Sequence, residues 1–186
     1  MDPRPSRTRA AIRGTALRLG VLREDALTVN EVAREAGVSR ASLYSHYPSG
    51  LEDVIIDLID EFSADLAEQI AQERAREPDT SAVVPCRAGL RVVLRNLEQN
   101  RSAFRSASTW RVGSRVRERL IENLARLLFP EPVDAAAAAR SRRFAAGVIG
   151  AGTVWLRDLD DGRAAPIDQV VEEQLSVFRV LIAPES

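Results

Sequence analysis

The residues best suited to chemistry lie between positions 36 and 50, in the sequence AGVSRASLYSHYPSG. A helix that begins with Arg40, Ala41 and Ser42 is slim enough to enter the major groove of DNA. There the guanidinium of Arg40 can bind guanine through two hydrogen bonds, and the hydroxyl of Ser42 can donate or accept one. The pattern therefore indicates recognition of double-stranded DNA, with a helical hairpin inside an ordinary α-helical domain as the alternative.

Two short helices are needed to position these side chains. Apolar residues recur at helical spacing just before the stretch, at Val29, Val32, Ala33 and Ala36. Thr28 and Ser39 stand where a side-chain hydroxyl caps a helix, and Gly37 stands where the chain leaves the first helix with a positive φ. The sequence thus predicts a helix-turn-helix with an outward face composed of Arg40, Ala41, Ser42, Tyr44 and Ser45.

Composition limits the class of protein. The chain has 186 residues, of which 45% are hydrophobic and 28% charged, so it can bury a sizeable core. No segment reaches the length of a membrane span, and the first residues, MDPRPSRTR, lack the apolar core of a signal peptide. We therefore expect a cytoplasmic protein without a membrane partner.

The sequence does not indicate a catalytic or metal site. His46 is the only histidine and Cys86 the only cysteine, and no nucleophile stands beside a base in a recognisable pattern. A single cysteine cannot form an internal disulfide or supply a metal cluster, which leaves a buried thiol or a redox sensor as alternatives. We expect no enzymatic activity, no metal and no cofactor.

Charge is distributed unevenly along the chain, although the formal net charge is only −1. Residues 1–50 hold eight arginines against five acids, whereas residues 51–70 hold seven acids and no base. This distribution is typical of an N-terminal head that contacts phosphate, joined to a body that does not.

Helical periodicity extends through the rest of the chain. It predicts a first helix over residues 8–22, preceded by a disordered basic arm with Arg4, Arg7 and Arg9, and a long connecting helix over residues 51–70. Further helices are predicted at about 84–98, 101–111, 114–128, 133–159 and 166–182. The fold class is therefore all-α. The predicted domains are a three-helix head at 1–50 and a helical regulatory and dimerisation domain at 51–186.

The last two predicted helices are apolar enough to pair with a second copy of the chain as a four-helix interface. We expect a homodimer whose interface includes Val148, Ala151, Val171, Leu175 and Phe178.

Arginine is concentrated between residues 85 and 129, where ten arginines face three acids. Arg87, Arg91 and Arg95 are spaced four apart, as are Arg111, Arg115 and Arg119, so each set forms a stripe on one helix face. The stripes either face solvent or pair with the acidic face of the connecting helix. Alternatively, they hold an anionic ligand such as a carboxylate or a coenzyme A thioester. The candidate ligand-binding residues are Arg91, Arg95, Phe104, Trp110, Phe144 and Trp155, although apolar residues of this kind are also what any core needs.

The run TVNEVAREAGVSRASLYSHYPS and the order of the predicted helices resemble the TetR family of bacterial transcriptional regulators. The motif resemblance covers about residues 8–60, and the remainder is similar in architecture only. It implies a homodimer that binds a palindromic operator, usually to repress, and is released by a small-molecule effector that enters the C-terminal domain.

The resemblance also implies roles for individual residues. It places Arg40, Ala41 and Ser42 at base edges and Asn30 near the groove wall, with Thr28, Tyr44, His46 and Tyr47 at phosphates. The DNA-contacting segment also includes Ser39 and Ser45. Interior packing is an alternative for Tyr44 and Tyr47, and local packing is an alternative for His46.

Two features depart from the family pattern. Gly50 stands where the family often has a phosphate-binding lysine, so that only its backbone amide could bind phosphate there. The segment GVLREDALTV lacks the aromatic residue and glycine common at the end of the first helix. A TetR-like sensor or interaction protein with weakened DNA binding is therefore the alternative function.

Overall fold

The computed structural model describes residues 3–22, 27–76, 84–101, 113–130 and 134–182. Within these ranges the secondary structure is entirely helical, which confirms the predicted fold class. The helices are α1 (Pro3–Leu22), α2 (Val29–Glu35), α3 (Arg40–His46), α4 (Leu51–Arg76), α5 (Val84–Gln99), α6 (Ser114–Leu128), α7 (Ala135–Asp160) and α8 (Ile167–Ile182). The helix predicted at 101–111 lies almost wholly outside the described residues.

Two helix boundaries differ from the prediction. Helix α1 begins at Pro3, so the segment predicted to be a disordered arm is its first turns. Proline is well tolerated there, because the first helical N–H groups have no intrahelical acceptor. Helix α4 continues to Arg76, because residues 71–76 are good helix formers and the first breaker is Pro78.

The chain forms two compact units, one from residues 1–61 and 101–119 and the other from residues 62–100 and 120–186. The division falls within α4, whereas the boundary predicted from the motif is at residue 50. In the first unit α1, α2, α3 and the first part of α4 enclose one apolar cluster. Its buried members are Ile12, Ala16, Val32, Ala33, Leu43, Tyr47 and Val54.

The second unit has a core of its own. Its largest enclosed side chains include Phe144, Ile70, Leu90, Leu128 and Leu175, contributed by five helices. Cys86 is fully buried there, and burial raises the pKa of its thiol to about 12, although Arg74 acts in the opposite direction. This favours the structural thiol over the redox sensor, because the reactive species is the thiolate.

A membrane-spanning segment is not found among the described helices, since none combines sufficient length with sufficient apolar character.

Candidate nucleic-acid interface

The turn between α2 and α3 has the predicted glycine geometry. Gly37 has φ +68°, a conformation that side chains with a Cβ rarely adopt. Its N–H donates to the carbonyl of Arg34 at 3.2 Å, and the N–H of Val38 donates to the carbonyl of Ala33 at 2.9 Å. These bonds use carbonyls that the end of α2 leaves without intrahelical donors, and so they fix where the chain turns toward α3.

Both predicted caps are present. The N–H of Glu31 donates to Thr28 Oγ1 at 3.3 Å, while the N–H of Thr28 donates to the Glu31 carboxylate at 3.0 Å, which is a capping box. At the next helix the N–H of Ser42 donates to Ser39 Oγ at 3.0 Å. The start of α3 is therefore fixed before any DNA is present.

Helix α3 has one buried and one open face. Leu43 is completely buried, whereas Arg40, Ala41 and Ser45 are exposed and Tyr44 keeps 41% of its surface. The remaining predicted contacts on this helix, Ser42 and His46, are half-buried. Arg40 forms no ion pair with any described residue, so its guanidinium is available to an external partner.

The residues predicted at the groove wall and nearby phosphates lie around the start of α2. Asn30 and Thr28 are both exposed. The hydroxyl of Thr28 also donates to the Glu31 carboxylate at 2.8 Å, so it already has a donor and an acceptor within the cap. The geometry thus supports a capping role for Thr28 over the predicted phosphate contact.

Tyr47 requires a correction. Only 1% of its surface is exposed, and its hydroxyl donates to Asp57 Oδ2 at 2.7 Å. A hydroxyl held in this way inside the head cannot also reach a DNA phosphate without leaving the core. The structure therefore favours interior packing, which was the alternative to the phosphate contact.

Asp57 is the residue of this region that sequence reasoning missed. It accepts from Tyr47 and forms ion pairs with Arg9 at 3.1 Å and Arg13 at 3.0 Å, and Arg13 also pairs with Glu61 at 2.8 Å. Its position supplied a signal, because Asp57 follows the buried Val54 by three residues and so lies on the same side of α4.

Gly50 also departs from expectation. Its φ is +70° and its N–H donates to the carbonyl of Tyr47 at 2.8 Å, so the amide is not available to phosphate. A Cβ at this position would lie 3.3 Å from Val29 Cγ2 and 3.5 Å from Tyr44 Cε1. A lysine here would therefore need a strained backbone in a crowded place, which explains why glycine suits this turn.

Residues 25–49 match the family model for bacterial regulatory proteins of the TetR family. A TetR-family transcriptional regulator from Streptomyces coelicolor is 20% identical, with a TM-score of 0.58 over 94% of this chain and 79% of its own. The chain has the TetR-family regulator fold. The resemblance inferred from the sequence is thereby confirmed.

Two further solved structures share this TetR-type fold. NalD, the secondary repressor of the MexAB-OprM multidrug efflux pump in Pseudomonas aeruginosa, is 17% identical, with a TM-score of 0.55 and full coverage of both chains. FadR, a fatty acid degradation regulator from Bacillus halodurans, is 15% identical, with a TM-score of 0.56 over 100% of this chain and 98% of its own. The search of curated proteins finds no significant match.

The first arginine stripe is paired with acids of the second unit. Arg95 Nη1 lies 3.2 Å from Glu73 Oε1, and Arg91 Nε lies 3.0 Å from Asp168 Oδ1. Arg87 Nε lies 2.9 Å from Glu172 Oε1. This pairing supports the interpretation that the stripe meets internal acids, partly on α4 and partly on α8.

The second stripe is paired in the same way, within the first unit. Arg115 donates to Glu52 at 3.1 Å and to Asp53 at 3.2 Å, and Arg119 donates to both carboxylate oxygens of Asp60. Arg111 lies outside the described residues. Acidic residues of α4 thus pair with Arg115 and Arg119 of α6.

Of the candidate apolar ligand residues, the two that the structure describes, Phe144 and Trp155, belong to the core of the second unit. Phe144 is 2% exposed and packs edge-to-face against Phe129, with ring centroids 5.8 Å apart. Trp155 is 5% exposed, and its Nε1–H donates to the carbonyl of Ala165 at 2.9 Å. Phe104 and Trp110 lie outside the described residues.

One shallow polar cleft of the second unit touches the predicted ligand set through Arg95. Its volume is about 170 Å³. It is lined by Gln69, Gln72, Glu73, Arg76, Val92, Arg95, Asn96 and Gln99. The cleft is small and its amides already bond to one another, as Asn96 Nδ2 donates to Gln69 Oε1 at 2.9 Å.

The predicted dimer residues need a second correction. Val148, Val171 and Leu175 are at most 4% exposed within the single chain, where they belong to the core of the second unit. A partner cannot cover surface that the chain already covers. Ala151 is half-buried, and the side chain of Phe178 lies outside the described set.

No group of three or more histidine, cysteine, aspartate or glutamate side chains suited to a metal ion occurs in the described part of the chain.

Proposed function

We propose that this chain is a ligand-responsive transcriptional regulator that represses by binding a palindromic operator as a homodimer. A small-molecule effector then releases it from the DNA. The observation that carries the proposal is the open face of α3, where Arg40 stands exposed and unpaired among the described residues while Leu43 anchors the opposite side. An exposed guanidinium at the start of a second short helix is the arrangement that reads guanine in the major groove.

Neighbouring residues support the same function. Ala41 leaves room for close approach of α3 to the bases, and Tyr44 and Ser45 add exposed hydroxyls that can reach phosphate. The half-buried His46 is assigned to phosphate contact or local packing, and Asn30 to the groove wall. The repressor role is proposed by analogy with NalD, which is described as a repressor.

Dimerisation is proposed through surface that the single chain leaves open on α7 and α8. Val154 and Val177 are more than half exposed, at 56% and 52%. Space is also open at Gly147 and Gly150, where an added Cβ would meet nothing within 4 Å. Exposed valines together with glycines that permit close approach suit a helical interface with a second copy.

The effector is proposed to enter the second unit. Because Arg91 and Arg95 are paired with acids, an anionic effector would have to compete with Glu73 and Asp168 for them.

A second function is favoured by a specific observation. Arg9 and Arg13 of the head are paired with Asp57 and Glu61, and the amide of Gly50 is occupied. Fewer phosphate donors would weaken DNA binding, as in a TetR-like sensor or interaction protein without an operator.

One experiment separates the two functions. Selection from a random duplex library at physiological salt should enrich a palindrome whose half-sites are centred about 34–36 Å apart. Affinity for it should fall steeply as salt rises. Failure to enrich any sequence, together with weak retention even at low salt, would favour the sensor.

A further inference from the structure

One carboxylate joins three helices of the first unit. Asp57 Oδ2 in α4 accepts from the Tyr47 hydroxyl at 2.7 Å and lies 3.0 Å from Arg13 Nη1 and 3.1 Å from Arg9 Nη2, both in α1. Tyr47 is the C-cap of α3. The end of α3, the helix proposed to read DNA, is therefore tied to both α1 and α4 through a single acceptor atom.

Tyr47 transmits this connection to α3. Its N–H donates to the carbonyl of Leu43 at 2.8 Å and closes the last turn of the helix. Its ring is enclosed by the core, and the guanidinium carbon of Arg9 lies 5.0 Å from the ring centroid. Any pivot of α3 that carries Tyr47 away from Asp57 breaks this bond and leaves the proton of a buried hydroxyl without its acceptor.

We propose that Asp57 is a positioning residue for DNA reading, which fixes the orientation of α3 through the Tyr47 hydroxyl without touching DNA. The inference rests on the proposed DNA-binding function. Arg9 and Arg13 hold the carboxylate in place, and Glu61 holds Arg13 from the other side.

The protonation state fits this role. Burial acts to raise the pKa of Asp57, but hydrogen bonds from Tyr47, Arg13 and Arg9 outweigh it and lower the pKa below its usual value. The acceptor is therefore charged at neutral pH. A charged acceptor makes a stronger hydrogen bond than a neutral one.

A double-mutant cycle tests the proposal. Tyr47→Phe removes only the hydroxyl, and Asp57→Asn removes the charge. Each should lower affinity for the selected operator by about threefold to tenfold, the range expected for one hydrogen bond. The double variant should lose less than the two single losses combined, because both changes act on one bond. Binding is measured at fixed salt, well below the unfolding temperature, with active protein counted by stoichiometric titration.

The matched control is Asp65→Asn, which makes the same charge change on the same helix. Asp65 is exposed and forms no ion pair with any described residue, so operator affinity should not change. Losses that simply add in the cycle would overturn the proposal. So would a loss from Tyr47→Phe that is equal on operator and random DNA, since that marks a direct phosphate contact. Unchanged affinity in Tyr47→Phe would also overturn it, and this variant decides the matter even if Asp57→Asn does not fold.

A second measurement keeps this inference separate from the proposed function. If the wild-type chain selects no operator, the proposed function fails, and amide hydrogen exchange along α3 then tests the positioning role alone. Tyr47→Phe should speed exchange at the end of α3, near Tyr47, relative to wild type and Asp65→Asn. Equal protection in all three chains would overturn the inference.

Discussion

Replacing Arg40 with alanine tests the base-reading role directly, because the structure isolates that role from folding. Arg40 is exposed and makes no ion pair with any described residue, and alanine is a good helix former. The variant should therefore unfold at the wild-type temperature, within about 0.5 kcal/mol of stability. Any loss of DNA affinity then reflects contacts made only in the complex.

The size of that loss follows from the contact proposed. A bidentate bond to guanine discriminates by about 1–3 kcal/mol, which corresponds to roughly fivefold to 150-fold weaker binding to the preferred operator. Operators mutated at the contacted guanine should lose much less, because for them the contact is already absent. In a palindrome the change should appear at one symmetric pair of positions.

Tyr44→Phe is the comparison variant, because it shows what the loss of a phosphate contact looks like in the same assay. Its hydroxyl is proposed to bind phosphate, so its removal should weaken all sequences nearly equally, by about 1 kcal/mol. Both variants are measured against a matched panel of operator mutants at one salt concentration. A uniform loss across the panel for Arg40→Ala would refute base reading and place Arg40 with the phosphate contacts.

Four further outcomes are expected. Gly50→Lys should destabilise the chain by about 1–2 kcal/mol in thermal or urea unfolding, because its φ of +70° penalises a Cβ. Cys86 should resist thiol reagents at pH 8 until the chain unfolds, since burial raises its pKa to about 12. The folded pKa of Asp57 is lowered, so its stabilisation is present above about pH 4 and lost as pH falls through the folded value; Asp57→Asn should flatten acid unfolding in that range. Val177→Glu should yield monomers in sedimentation, and a dimer that persists would place the interface elsewhere.

The helix-turn-helix could be predicted because its determinants are local. Thr28 and Ser39 cap helices within three residues of themselves, and Gly37 adopts its positive φ inside a single turn. Each of these signals is a short-range hydrogen bond or a backbone preference, so the neighbouring sequence is enough to identify it.

Three of the predicted dimer residues, Val148, Val171 and Leu175, are covered by the chain itself, for a physical reason that applies to any helix pair. Periodicity identifies the apolar face of α7 or α8, but it does not say whether the same chain or another chain covers that face. Val171 and Leu175 follow the periodic pattern and are covered internally. The surface that we propose for a partner carries glycines and isolated valines, which have no strong periodic signal.

Tyr47 and Asp57 show a second limit. Their side chains bond across ten positions of sequence and two helices, and the aromatic type of Tyr47 suits either a core or a phosphate contact. Only the packing of α1 against α3 and α4 decides between the two, because it encloses the ring and brings Arg9 and Arg13 to the carboxylate.

Tertiary packing also determines which arginines are paired with acids and which are open to an external partner. The acids of α4 are counter-charges within each unit, since Asp57 binds Arg9 and Arg13, Asp60 binds Arg119, and Glu73 binds Arg95. DNA or an anionic effector would have to compete with these carboxylates for the arginines. Arg40 has no such competitor among the described residues. A chain with a net charge of −1 can therefore offer DNA a local positive contact at the point where α3 is exposed.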